Sequence, residues 1–154
     1  MTAYHEKTWE QRYATMGDVA EGIFEEISPL GKWVRFGFNR PPFKMAKITD
    51  FIRHTPDYIC GTGHLVEVMG CGRDNILKVK LDKYEALKTW NKYAQVALFV
   101  WNSSTREYVL LQWSQFIELY RKAKRKDGVQ KFDDGNEFVG VDWRAIDMVV
   151  PYER

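Results

Sequence analysis

Two short apolar runs joined by a glycine-flanked turn constrain this chain more than any other feature: Tyr58-Ile59-Cys60, then Gly61-Thr62-Gly63, then Leu65-Val66-Glu67-Val68. Such runs read as strands, and so short a connection allows only an antiparallel return, so the segment predicts a β-hairpin. Turn length then sets the register. With Gly61-Thr62-Gly63 as the turn, Cys60 faces His64, Ile59 faces Leu65, Tyr58 faces Val66, and Asp57 faces Glu67. Directly opposed residues have Cβ atoms about 4.5–5.5 Å apart, and like charges there are destabilising, so the two carboxylates ask for a counter-charge. A divalent cation such as Mg2+ or Mn2+, which takes hard oxygen ligands, supplies one. The blander alternative has Asp57 capping a turn after Pro56 and Glu67 pointing to solvent from an edge strand.

The segments around the hairpin predict an α/β chain. Val19, Ile23, Phe24 and Ile27 recur on one helical face between Gly17 and Ile27, and Ser28-Pro29 with Gly31 supply stop signals. Trp33, Val34, Phe36 and Phe38 read as a strand that ends at Arg40-Pro41-Pro42. Tyr84, Leu87 and Trp90 mark an amphipathic helix over Asp82 to Tyr93, whereas Ile76 to Leu81 reads equally as a strand or as the opening of that helix. Val96 to Trp101 is a near-continuous apolar run of the kind buried on both faces of a sheet, and because it follows a helix it predicts a parallel βαβ pairing. Tyr108 to Trp113 is a further strand, Ser114 is placed to cap a helix running into a basic segment, and the tail from Val129 is expected to pack across the sheet in short pieces. The expected architecture is a mixed central β-sheet flanked by helices.

At 154 residues the chain fits one core, and its 45% apolar content can fill it. A net charge of +2 is too mild to identify a nucleic-acid partner, for which a clustered basic footprint is diagnostic. The densest cluster is Arg121, Lys122, Lys124, Arg125 and Lys126, which permits such contacts and reads equally as a solvated helix face. The first ten residues lack the apolar core of a signal peptide, and no run reaches the roughly 18 apolar residues of a spanning helix, so a cytoplasmic protein with no membrane partner is expected. Cys60 and Cys71 lack metal-site spacing and read as packing residues.

Thr55-Pro56-Asp57, nine intervening residues, then Glu67-Val68-Met69-Gly70 resembles the signature of the PD-(D/E)XK nuclease superfamily, and its wording is similar to that of small phage-type junction-resolving endonucleases. The resemblance spans Gly17 to Trp101 and extends to Glu21, placed where that group carries an additional acidic ligand. It implies a restriction-endonuclease-like core in which Asp57 and Glu67 hold Mg2+ or Mn2+, the Val68 carbonyl adds a ligand, Glu21 reaches metal-bound water, and a homodimer hydrolyses phosphodiester bonds of DNA, including branched repair or recombination intermediates.

The signature expects lysine where this chain has Met69. A thioether neither donates a hydrogen bond to phosphate nor suits a hard cation. Three explanations compete: the lysine function has moved to Lys78 or Lys80, the chain is a catalytically inactive nucleic-acid-binding or structural protein, or it belongs elsewhere, such as among small interaction proteins. Arg73, in the glycine-bordered loop after the motif, is a candidate phosphate contact beside Lys122, Lys124 and Arg125, though a surface loop arginine needs no such role. His54 precedes the motif closely enough to approach metal-bound water. His64 and the tryptophans are expected to be structural.

Overall fold

The computed structural model describes residues 9–37 and 48–153, with side chains from residue 17 onward. Its centre is the expected hairpin. Strands β2 (Tyr58–Cys60) and β3 (Leu65–Cys71) pair with Tyr58 opposite Val66 and Ile59 opposite Leu65. The turn closes through the Gly63 N–H on the Cys60 carbonyl at 2.9 Å, and Gly63 takes φ +86°, a conformation that costs glycine little. Strand β5 (Val96–Asn102) lies parallel to β3 with Glu67 opposite Leu98, and all seven of its residues are buried. The parallel pairing follows from helix α3 (Leu81–Trp90), which carries the chain back across the sheet. Strands β1 (Trp33–Arg35), β6 (Glu107–Gln112) and β9 (Val150–Pro151) complete a six-stranded mixed sheet in the order β1-β2-β3-β5-β6-β9.

Strand alternation divides the core in two. Tyr58, Cys60, Val66, Ala97, Phe99 and Trp101 face helix α1 (Trp9–Ile27), which contributes Ala20, Ile23 and Phe24. Phe24 is fully buried between Tyr58 and Phe99, a burial that contributes about 1.5–3 kcal/mol. The opposite face presents Leu65, Met69, Cys71, Leu98 and Val100 to α3 and to helix α4 (Trp113–Asp127). The helices and the mixed sheet expected from the sequence are therefore present.

Several local expectations are corrected. Helix α1 begins at Trp9 rather than near Gly17, and its buried stripe runs through Ala20, leaving Val19 47% exposed. Strand β1 ends at Arg35, and the expected continuation to Phe38 and the Arg40-Pro41-Pro42 break lie outside the described residues, as do residues 1–8. The ambiguous stretch is strand β4 (Ile76–Lys80), which buries Leu77 and Val79. It pairs with β8 (Glu137–Asp142), which in turn pairs with β7 (Gln130–Lys131), giving a second, antiparallel sheet. Of the tail, β7 and β8 join β4 in this second sheet, whose Val139 and Val141 share a core with Leu65 and Leu98 of the first, and β9 pairs with β6. Helix α4 is capped by Gln112 in a reciprocal box with Gln115, not by Ser114, because the helix starts at Trp113.

Candidate active site

Asp57 sits where β2 stops and β3 continues. Its backbone carbonyl accepts from the Phe36 and Gly37 N–H groups at 2.8 and 3.3 Å, which ties it to the end of β1. Its side chain accepts from the Val68 N–H at 2.8 Å, so a carboxylate replaces the next backbone partner of β3. One residue beyond the last recorded pair, the register sets Asp57 opposite Glu67, and one further it sets Pro56 opposite Val68. Proline has no N–H to give the Val68 carbonyl, which points to the same side of the strand as the Val68 N–H. Gly37 is required here by space alone: a Cβ would lie 2.6 Å from both the Thr55 and Pro56 carbonyl oxygens.

Glu67 is only 4% exposed, an unusual place for a carboxylate unless it is paired. Its partner is Lys83, in the first turn of α3, whose Nζ lies 2.9 Å from Glu67 Oε2. Both side chains are largely shielded, at 15% and 6% exposure. Burial and the Glu67 charge hold the Asp57 carboxyl well above the usual carboxylate range, against the opposing pull of the Val68 N–H, Lys83 and Arg35.

Arg35 closes the site from the α1 side. Its two terminal nitrogens engage Glu21 at 2.9 Å (Oε2) and 3.1 Å (Oε1), its Nη1 donates to the Tyr58 hydroxyl at 2.9 Å, and its Nη2 lies 3.9 Å from Asp57 Oδ1. The Tyr58 hydroxyl in turn donates a hydrogen bond to Glu25 Oε1 at 3.0 Å. Burial alone would lower the Arg35 pKa, but the hydrogen bond and charge of Glu21 raise it further, so the guanidinium is a permanent cation.

The remaining sequence candidates are dispersed. Lys78 lies in the second sheet, 41% exposed, where it pairs with Asp74 at 3.0 Å and approaches the Phe138 ring. Lys80 ends the same strand, next to α3. Met69 shares the face of Glu67 but is buried in the core with Leu65 and Cys71. Arg73 is exposed in the loop before β4, and Lys122, Lys124 and Arg125 are exposed on α4, with Lys122 paired to Glu118 at 3.1 Å. His64 contacts Thr62 within the hairpin turn.

His54 follows helix α2 (Asp50–Arg53) and lies 3.3 Å from Asp82, the neighbour of Lys83. Burial, then the Lys83 charge, lower its pKa. Among the described residues, Asp50, His54 and Asp82 are the only three His, Cys or acidic residues whose ligand atoms all lie within 4.8 Å of one another. Arg53 already bridges them, contacting Asp50 and, at 2.7 Å, Asp82.

No protein-family model matches the chain, and no curated protein does either. Among solved structures it is similar to Hjc, a Holliday junction resolvase from the archaeal hyperthermophile Archaeoglobus fulgidus. The two are 14% identical over 85% of this chain and 94% of that one, with a TM-score of 0.47.

Asp57 and Glu67 both offer hard oxygen donors of the kind a divalent cation takes, beside two protein cations, Lys83 at 2.9 Å from Glu67 and Arg35 at 3.9 Å from Asp57. The counter-charge predicted for the pair is therefore partly supplied by the protein itself. Neither cation was legible in the sequence. Lys83 follows Asp82 at the start of a helix that begins directly after β4, and Arg35 is placed by the pairing of β1 with β2, in which it faces Tyr58.

Proposed function

We propose that the chain is a metal-dependent endonuclease that hydrolyses phosphodiester bonds in DNA, with branched intermediates among its substrates. The observation that carries this reading is the buried Glu67 opposite a half-buried Asp57, with the Lys83 ammonium 2.9 Å from Glu67, on a sequence that otherwise departs from the nuclease signature only at Met69. Asp57 and Glu67 would hold Mg2+ or Mn2+, with the Val68 carbonyl as a further donor. When bound, the metal supplies positive charge to the phosphate and acidifies water. Lys83 takes the place left by Met69: it fixes Glu67 and presents a point charge toward a scissile phosphate, which Lys78, engaged with Asp74, is less well placed to do. The Val68 N–H keeps the Asp57 carboxylate oriented. Arg73, Lys122, Lys124 and Arg125 offer exposed charge to the nucleic-acid backbone, and cutting both strands would call for a homodimer.

The test is cleavage of linear duplex and four-way branched DNA, with and without Mg2+ or Mn2+, by the wild type, Asp57→Asn and Lys83→Met. Metal-dependent cutting by the wild type, lost in both variants, is expected. Salt-sensitive DNA binding without cutting on any substrate would sink the enzyme reading and leave the inactive nucleic-acid-binding protein, and absence of both would leave an interaction protein.

A further inference from the structure

Glu21 occupies the position at which a third acidic ligand is expected, yet its geometry is that of a residue already engaged. Both of its carboxylate oxygens are taken by one guanidinium, Oε2 by Arg35 Nη1 at 2.9 Å and Oε1 by Arg35 Nη2 at 3.1 Å. A two-point fork of this kind is the strongest and most directional pairing available to a carboxylate. It is also sheltered, with Glu21 and Arg35 side chains 19% and 27% exposed. The oxygens of Glu21, Asp57 and Glu67 do not all come within 4.8 Å of one another, whereas the ligand atoms of Asp50, His54 and Asp82 do. What reaches Asp57 from this side is Arg35, at 3.9 Å, further fixed by the Tyr58 hydroxyl, which Glu25 anchors in turn.

We propose that Glu21 is a positioning residue and not a metal ligand: it clamps Arg35 against Asp57, and the divalent ion is held by Asp57 and Glu67 without it. This rests on the nuclease reading of the site. With all three carboxylates ionised, as metal binding requires of Asp57 and Glu67, against the two cations Arg35 and Lys83, the cluster carries a net charge of about −1, which suits one divalent ion better than two. The consequence for substrate is that Arg35 is a fixed positive charge beside the reacting position, held in place before any DNA arrives.

Mg2+ titration of the full chain, followed through the side-chain carboxylate 13C resonances, tests the assignment without any substitution. The Asp57 and Glu67 resonances are expected to shift with saturation while that of Glu21 stays in place. A Glu21 resonance that moves with the other two overturns the proposal, and a titration in which none of the three moves instead removes the metal-site reading on which it stands. Mn2+ affinity gives a second readout. Asp57→Asn and Glu67→Gln are expected to weaken binding by more than about a hundredfold and Glu21→Gln by about tenfold, the scale of an orienting partner; equal losses in all three overturn the proposal. Because Glu21 acts through Arg35, the cleavage-rate losses of Glu21→Gln and Arg35→Lys should not add in the double variant, and additive losses overturn the proposal.

Discussion

Replacing Lys83 with methionine removes the ammonium and keeps most of the side-chain volume. The lost contact is the 2.9 Å ion pair with Glu67, whose side chain is 6% exposed and already faces Asp57. Removing one member of a buried pair costs about 3–5 kcal/mol, because the other charge stays behind unpaired. Lys83 keeps 15% exposure, so we set the expected loss at the lower end, about 3 kcal/mol. For a chain of this length each kcal/mol moves Tm by about 2–4 °C, which gives a fall of about 6–12 °C. Thermal melts of wild type, Lys83→Met, Glu67→Gln and the double variant give the coupling directly, and the double variant should melt above Lys83→Met because no unpaired charge remains. Millimolar Mg2+ should raise the Tm of Lys83→Met more than that of the wild type, since the metal meets a carboxylate pair with less competing positive charge. Cleavage should fall by about 10²–10³, the usual effect of losing one electrostatic contact to the reacting group. A Tm and a cleavage rate both indistinguishable from wild type would refute the assignment of Lys83.

Asp57 should trade stability for function. Its native carboxyl holds a proton more tightly than the unfolded chain does, so its contribution to stability is fully present below the unfolded carboxylate value of about 3.9 and is lost as pH rises toward the raised native value. At pH 7 in EDTA, Asp57→Asn should therefore melt above the wild type, with the gap closing as the pH is lowered toward about 4; a variant less stable at pH 7 would contradict this. Gly37→Ala places a methyl group 2.6 Å from the Thr55 and Pro56 carbonyls, and should cost about 1–3 kcal/mol by equilibrium denaturation and lower cleavage through displacement of Asp57. Met69→Lys puts an ammonium among Leu65 and Cys71, so it should lower Tm well below Met69→Leu, whose cost is under about 1.5 kcal/mol, and should not raise cleavage.

What the sequence determined by itself was local. The opposition of Asp57 and Glu67 follows from a turn of a few residues, because closing so short a loop leaves one register that buries Tyr58 and Val66 together. The parallel run of β5 beside β3 was legible for a similar reason: a continuous apolar strand after a helix can return only alongside the first. Tertiary structure decided the rest. The alternation in Ile76–Leu81 reads equally as a strand or a helix opening and says nothing of its partner, which is β8, so the chain gained a second sheet that no local pattern announces. Which cations neutralise the carboxylates was equally hidden. Lys78 and Lys80 are nearer Glu67 in sequence than Lys83, yet strand alternation exposes Lys78 and the first turn of α3 carries Lys83 to Glu67. Arg35 meets Asp57 only because β1 pairs with β2 and α1 brings Glu21 over both. Charge type and spacing are properties of the chain, whereas the desolvation that makes an ion pair matter exists only once separate elements have packed around it.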